Sequence, residues 1–316
     1  MTDQWGRTID YLRVSVTDRC NLRCRYCMPR GVELCSHSDT LRYEELLRVC
    51  AAAVALGVTR FKITGGEPLV RRDCAAFLAR LKALPGVEQV TLTTNALLLS
   101  QCLDELAGAG VDGINISLDT LDPERYRRIT GFDGGAVEQV LTALDDCVRR
   151  GIRTKINAVL LPETRDEPPR LAALAAGRPV DVRFIELMPM PDCAPFGPEA
   201  YIPCDRVIKA LPELEPLPGG DGVARLYRLP GGQGRVGLIS PLSDNFCGWC
   251  NRLRLTADGR VKPCLHSPAE FSIKGLDREG MRRQFLAACA AKPEQHPLLS
   301  YAHRSAANRS MNRIGG

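Results

Sequence analysis

The sequence predicts a parallel α/β fold followed by a smaller, differently built C-terminal region, and three observations carry that reading. Six short runs rich in β-branched residues recur along the first part of the chain, amphipathic helical stretches fall between them, and the texture changes abruptly after Met188. Strand and helix alternating at this pace read as βαβ units whose strands pair in parallel. Six units suit either a doubly wound sheet or an incomplete (β/α) barrel, and both place chemistry at the C-terminal ends of the strands.

The strands are expected at Tyr11–Thr17, Arg60–Thr64, Gln89–Thr94, Gly113–Asp119, Arg153–Leu160 and Asp181–Met188. Apolar residues at helical spacing mark Arg42–Leu56, Ala75–Leu84, Gln101–Ala107, Val137–Arg149 and Leu171–Ala175 as the intervening helices. Met188-Pro189-Met190-Pro191 opens a Pro-rich connection to Pro203. A second domain is therefore expected over 190–316, after a first over 1–189. Within it the expected order is a short helix at Asp205–Leu211, a Pro/Gly-rich break at Pro212–Gly222, antiparallel strands at Val223–Leu229 and Arg235–Ser240, a helix at 277–291, and a polar tail from Lys292 to Gly316.

Composition narrows the classes. With 45% hydrophobic and 25% charged residues the 316-residue chain is ordinary globular material. No apolar run is long enough to cross a bilayer, and no charged-then-apolar leader opens the chain, so a cytoplasmic protein is expected. A net charge of +5 is too small to argue for nucleic acid; cations gathered around a small anion would produce it equally well. Fourteen cysteines are the anomaly. In a reducing compartment they point to metal or redox chemistry rather than disulfides.

Six of them fall into two triplets. Cys20, Cys24 and Cys27 form a Cys-x3-Cys-x2-Cys run directly after the first strand. Three thiolates in one short loop can hold three corners of a [4Fe–4S] cube and leave the fourth iron open to a ligand. A zinc ion would need a fourth ligand, for which only His37 is near in sequence. Cys247, Cys250 and Cys264 are spaced Cys-x2-Cys-x13-Cys. From that spacing alone, zinc completed by His266 and an iron–sulfur cluster stand about even. The remaining cysteines read as small buried hydrophobes.

The run from Tyr11 through Cys20-Asn21-Leu22-Arg23-Cys24-Arg25-Tyr26-Cys27-Met28-Pro29 resembles the signature of radical S-adenosylmethionine (SAM) enzymes, and its extended form is similar to the GTP 3′,8-cyclase family of molybdenum cofactor biosynthesis (protein A). Thr64-Gly65-Gly66-Glu67-Pro68-Leu69, Thr93-Thr94-Asn95, Asn115-Ile116-Ser117-Leu118-Asp119, Arg183-Phe184-Ile185-Glu186-Leu187-Met188, Cys247-x2-Cys250-Asn251-Arg252-Leu253-Arg254 and the terminal Gly315-Gly316 add to the resemblance, in the family's order.

That resemblance implies an incomplete (β/α)6 barrel of the triosephosphate-isomerase type with a smaller C-terminal α+β domain. It implies that Cys20, Cys24 and Cys27 bind a [4Fe–4S] cluster that ligates SAM, with Tyr26, Gly66, Glu67, Ser117 and Met188 as SAM contacts. Cys247, Cys250 and Cys264 would hold a second [4Fe–4S] cluster that binds GTP. Arg13, Lys62, Thr93, Lys155, Arg252, Leu253 and Arg254 would contact the nucleotide, Arg252 and Arg254 fixing its orientation for catalysis. A triphosphate needs such converging cations. The tail would bring Gly315 and Gly316 into the active site, with Arg309 and Arg313 nearby. The implied activity is a lyase reaction in which a 5′-deoxyadenosyl radical abstracts the ribose 3′ hydrogen and C3′ joins guanine C8. The product would be (8S)-3′,8-cyclo-7,8-dihydroguanosine 5′-triphosphate, passed to a cyclic pyranopterin monophosphate synthase. An electron donor such as flavodoxin or ferredoxin is implied, with the enzyme a monomer or homodimer that binds neither nucleic acid nor membrane.

Two departures from the family pattern stand out. Arg60-Phe61-Lys62 has its cations exchanged relative to the usual Lys-x-Arg, which removes a bidentate fork. Ala96 follows Thr-Thr-Asn where glycine is common. Two rivals remain: a peptide-modifying radical SAM enzyme with an auxiliary cluster, and a zinc-ribbon nucleic-acid-binding protein. Aromatic residues at only 5% argue against the second.

Overall fold

A computed structural model describes residues 1–191, 196–220 and 223–315. Its strands are β1 (Tyr11–Ser15), β2 (Arg60–Thr64), β3 (Gln89–Thr94), β4 (Gly113–Ser117), β5 (Thr154–Leu160), β6 (Asp181–Glu186), β7 (Glu215–Gly220), β8 (Arg225–Arg228), β9 (Arg235–Ile239), β10 (Arg252–Leu255), β11 (Arg260–Lys262) and β12 (Phe271–Ser272). The helices are α1 (Tyr43–Val54), α2 (Cys74–Lys82), α3 (Leu99–Gly108), α4 (Pro123–Thr130), α5 (Ala136–Arg149), α6 (Pro168–Gly177), α7 (Asp205–Ala210), α8 (Arg278–Ala290) and α9 (Met311–Ile314).

One sheet contains every strand of the described residues, in the order β12-β11-β10-β1-β2-β3-β4-β5-β6-β9-β8-β7. β1 to β6 pair in sequence and in parallel, as six βα units require. At one margin β10 adds to β1 in parallel, with Arg254 opposite Arg13. At the other, β9 adds to β6 in parallel, with Gly237 opposite Arg183. Beyond these, β11–β12 and β8–β7 continue the sheet antiparallel. A parallel sheet flanked by helices, six units long and with its margins joined by no strand pair among the described residues, is the partial barrel that the family resemblance implied and one of the two arrangements the alternation allowed.

Side chains alternate across each strand. One set, including Leu12, Val14, Phe61, Ile63, Leu92, Ile114 and Ile156, is fully buried against the helices. Each such side chain contributes roughly 1.5–3 kcal/mol by leaving water. The other set, Arg13, Lys62, Thr93, Lys155, Arg183, Arg252 and Arg254, points to the concave face.

Differences from the expected elements have local causes. α4 is short and polar but firmly capped: Pro123 opens it, the Asp122 carboxylate accepts from Arg125 N at 2.8 Å, and Gly131 closes it at φ +69°. The expected break at Pro212–Gly222 contains β7, whose pairing with β8 shifts register between Pro216 and Gly220. It is the outermost strand, where a missing N–H costs no ladder bond. β10, β11 and β12 are too short to announce themselves by periodicity.

Candidate active site

The first cysteine triplet lies in the loop leaving β1, and its neighbours hold it from three sides. Arg23 N donates to Thr130 O at 2.8 Å and Arg25 N to Ile129 O at 3.0 Å, docking the loop on the end of α4. Beneath it, Gly66 N donates to Thr17 O at 2.7 Å and Glu67 N to Arg19 O at 2.8 Å. A Cβ on Gly65 would stand 2.5 Å from Thr17 O, and one on Gly66 2.3 Å from Arg19 O. The glycine pair therefore serves the chain itself: it lets the loop that carries Cys20 settle on the end of β2. On the third side, Asn95 Nδ2 lies 3.8 Å from Cys20 Sγ and donates to Asn21 Oδ1 at 2.8 Å. Asn95 is placed by Glu67, whose buried carboxylate accepts from Asn95 N, Thr94 Oγ1 and Leu69 N. Burial pushes the Glu67 carboxyl up to about 7 against those three bonds.

The three thiols interact. Cys24 is pushed well above its ordinary range by burial and then by the charges of Cys27, Asp119 and Cys20. Leu22 N donates to Cys20 Sγ at 3.3 Å, the backbone bond a metal-bound thiolate accepts. Tyr26 sits between the last two cysteines with its hydroxyl donating to Asp119 Oδ2 at 2.7 Å, while Val159 N donates to Asp119 Oδ1. Its ring packs in an apolar cluster with Met188 and Met311, above the strand ends. Ser117 ends β4 beside Asn157 of β5.

The concave face is strongly cationic. Lys62 is driven far below its ordinary value by burial, then by Arg13, Arg183, Arg252 and Lys155, so these five charges converge. Arg254 falls to about 9 through burial, Arg13 and Arg252. Lys155 falls to about 7 through burial and Arg183, only partly offset by Asp181, which Arg235 holds at 2.7 Å. Burial and mutual repulsion thus favour the neutral forms of both lysines, and an anion bound in the recess would favour their charged forms. Thr93 Oγ1 is buried there with no hydrogen-bond partner. Arg60, by contrast, donates from Nη2 to both carboxylate oxygens of Asp10, so Lys62 is the cation of that pair which belongs to the recess.

The second triplet closes the same recess. Cys247 and Cys250 flank a single helical turn just before β10, and Cys264 follows β11. Burial raises the Cys247 thiol, with Cys264 and Cys250 adding to the shift, so these three also interact. Cys250 moves down: burial opposes it, but Lys292 and Arg252 prevail. Arg252 lies over the rings of Tyr11 and Phe246.

The tail enters between the two triplets. Asn312 Nδ2 donates to Asp18 O at 2.8 Å, and Arg254 Nη1 to Gly315 O at 2.7 Å. Gly315 has φ +83°, and a Cβ there would lie 3.0 Å from Thr64 Oγ1 and 3.2 Å from Ser15 Cβ. Gly316 lies outside the described residues. Arg309 faces Glu270 and Asp258 rather than the recess, and Arg313 reaches Cys35.

Strand alternation turns the Leu253 side chain away from Arg252 and Arg254 into the core, opposite Leu12 and 1% exposed, so only its backbone is left to face a ligand. Neither candidate histidine joins a triplet: His37 is exposed beside a separate groove along α1, and His266 Nδ1 pairs with Ser305 Oγ at 3.0 Å. Among the described residues no three His, Cys, Asp or Glu side chains gather as tightly as one metal ion requires. Mutually interacting thiols, an N–H bond to sulfur and an orphaned hydroxyl amid converging cations fit a larger cluster and an anionic ligand. Arg183, Asp119 and Asn95 were not singled out as site residues; for Arg183 the signal was strand parity, since it faces the recess beside Asn157.

Comparison with known proteins fits this geometry. Residues 14–175 match the radical SAM superfamily and residues 180–298 the Molybdenum Cofactor Synthesis C family. The fold is shared with AdoMet-bound anSMEcpe, at TM-score 0.64 and 15% identity over 92% of this chain and 82% of that one. SuiB of Streptococcus suis bound to S-adenosylmethionine gives TM-score 0.63 and 14% identity over 84% of this chain and 63% of that one. The fold and site thus define a radical SAM enzyme, a class that works with SAM and an iron–sulfur cluster. The chain is 41% identical to the GTP 3′,8-cyclase of Alkaliphilus oremlandii and 44% to that of Heliobacterium modesticaldum, each over 100% of both chains. It is also 43% identical to molybdenum cofactor biosynthesis protein 1 of Drosophila melanogaster, over 88% of this chain and 50% of that one. The chain belongs to the GTP 3′,8-cyclase family. No helix among the described residues is long and apolar enough to cross a membrane.

Proposed function

We propose that this chain catalyses the GTP 3′,8-cyclase reaction, the first step of molybdenum cofactor biosynthesis, with one iron–sulfur cluster on each cysteine triplet. When bound, SAM and the first cluster would supply a 5′-deoxyadenosyl radical that takes the ribose 3′ hydrogen as 5′-deoxyadenosine, so that C3′ can join guanine C8 and one electron and one proton complete the isomer. The carrying observation is the convergence of two interacting thiol triplets, a ring of buried cations and Gly315 on one concave face. Cys20, Cys24 and Cys27 hold the SAM-binding cluster. Tyr26, oriented by Asp119, stands beside the adenine; the backbone at Gly66 and Glu67 receives the methionyl amino group; Ser117 and Met188 complete the SAM contacts. Cys247, Cys250 and Cys264 hold the second cluster at the guanine. Arg13, Lys62, Lys155 and Arg183 neutralise the triphosphate, and Thr93 offers its hydroxyl to the nucleotide. Arg252 and Arg254 orient the nucleotide between the clusters. Arg254 also ties Gly315 in place, which excludes water from the mouth of the recess.

The product passes to a cyclic pyranopterin monophosphate synthase, electrons come from a flavodoxin- or ferredoxin-like donor, and the enzyme works in the cytoplasm as a monomer or homodimer. The test is anaerobic reconstitution with iron and sulfide, addition of SAM, dithionite and GTP, and mass spectrometry. 5′-Deoxyadenosine with a GTP isomer of unchanged mass supports the reading. 5′-Deoxyadenosine without the isomer removes GTP as substrate, and neither product from iron-loaded protein overturns the reading altogether.

A further inference from the structure

Lys292 is 2% exposed, a depth at which lysine is seldom found without a carboxylate partner. Its ammonium donates to Arg252 O at 2.9 Å, to Pro263 O at 3.0 Å and to Cys250 Sγ at 3.4 Å. Among the described residues no carboxylate lies within ion-pair distance of it. Those three acceptors belong to three different parts of the second triplet's surroundings: Cys250 itself, the first residue of β10, and the residue preceding Cys264.

The backbone of Lys292 is fixed in turn by the N-terminal segment. Trp5 Nε1 donates to Lys292 O at 3.0 Å. Arg7 reaches Pro293 O at 2.6 Å, Glu294 O at 2.8 Å and Cys247 O at 2.7 Å, and is held by Asp3. The two ends of the chain therefore brace one buried ammonium against one cysteine. Two carbonyls and the Cys250 sulfur take its three donors, but the carbonyls carry no charge, and burying an uncompensated charge is costly. A thiolate at Cys250, the form a metal would bind, is the one anion among its three partners that could compensate it.

We infer that Lys292 is a positioning residue for the second metal centre: it aims Cys250 and supplies the nearest positive charge, which sets the reduction potential of the cluster bound there. This rests on the reading that Cys247, Cys250 and Cys264 hold a cluster. Potentials of iron–sulfur clusters follow net charge and hydrogen bonds to sulfur. Removing this ammonium destabilises the reduced, more negative cluster and moves its potential downward.

The experiment uses the full-length chain carrying Cys20→Ala, Cys24→Ala and Cys27→Ala, so that only the second triplet can load. It is reconstituted anaerobically with iron and sulfide and followed by iron analysis and potentiometric electron paramagnetic resonance. Failure to hold about four irons as a cluster refutes the reading of the triplet, whatever Lys292 does. If the cluster forms, Lys292→Met is expected to shift its midpoint to a more negative potential and alter its spectrum, while Lys292→Arg stays near the parent. Loss of the cluster from Lys292→Met but not from Lys292→Arg supports the same conclusion. An unchanged midpoint in Lys292→Met, an equal shift in both variants, or loss of the cluster from both would overturn it, because volume rather than charge would then be what the site uses.

Discussion

Replacing Gly66 by alanine should empty the first cysteine triplet and spare the second. The backbone at Gly66 is not in a left-handed conformation, so alanine is allowed there by its own dihedrals and the effect isolates close approach. The added Cβ would stand 2.3 Å from Arg19 O, 2.6 Å from Arg19 C and 2.8 Å from Asp18 O, all backbone atoms with no side chain to swing aside. Carbon contacts are comfortable from about 3.5 Å, so the loop must retreat by roughly 1 Å. That stretches the bonds from Gly66 N to Thr17 O and from Glu67 N to Arg19 O, now 2.7 and 2.8 Å. Each is worth about 1 kcal/mol, and more when its groups stay buried and unpaired, so the cost is about 2–4 kcal/mol. Cys20 is the next residue along and moves with them. Anaerobic reconstitution should give about four irons per chain instead of about eight, no 5′-deoxyadenosine, and a lower urea midpoint for the metal-free protein. Full iron loading with an unmoved midpoint would refute the claim that the glycine pair seats the cluster loop.

Three further outcomes follow from other parts of the site. Ala96 has φ +66°, a region that costs a non-glycine residue about 1–2 kcal/mol, so Ala96→Gly should raise stability by about 1 kcal/mol after glycine's entropic cost; a urea midpoint that falls would count against it. Lys155 is held at about 7, below its ordinary 10.5, so the unfolded chain binds its proton more tightly and metal-free stability should rise as pH climbs between those values. A triphosphate should restore the charge, so GTP binding at pH 8 should take up protons and weaken as pH rises; calorimetric enthalpies that do not depend on the buffer would exclude this. Deleting Gly315 and Gly316 should abolish formation of the GTP isomer while iron content stays unchanged, and normal turnover by the shortened chain would show that the Arg254–Gly315 contact is dispensable.

Much of this was legible because parallel strands carry a strong signal. β-Branched runs such as Arg60–Thr64 and Asp181–Glu186 are buried on their helix-facing side and charged on the other, so strand parity alone sorts Lys62 into the recess and Phe61 into the core. The same rule places the Leu253 side chain in the core and Arg183 in the cation ring, a distinction that adjacency within a motif obscures. Other features depend on pairing between distant segments and leave no local trace. β10 is four residues of alternating charge whose partner, β1, lies far back in the sequence. β7 contains prolines that mark a break unless its place at the margin is known. The need for Gly65 and Gly66 comes from the carbonyls of Thr17 and Arg19, which only the folded loop brings near. Lys292 reads as the first residue of a polar tail until the N-terminal segment is seen to close over it.

The placement of β9 and β10 bears on how the protein is made. The six strands translated first form a sheet with two bare margins, and both margins wait for segments from the last third of the chain: β9 for β6, β10 for β1. A nascent chain stopped after the sixth strand presents two unpaired parallel edges, the geometry that invites neighbouring chains to add on. Pairing between β1 and β10 also spans most of the chain, a separation that slows folding. The parallel part of the sheet can be completed only once the strand at Arg252–Leu255 has been made, and until then hydrogen bonds from β9 and β10 do not cover both of those edges.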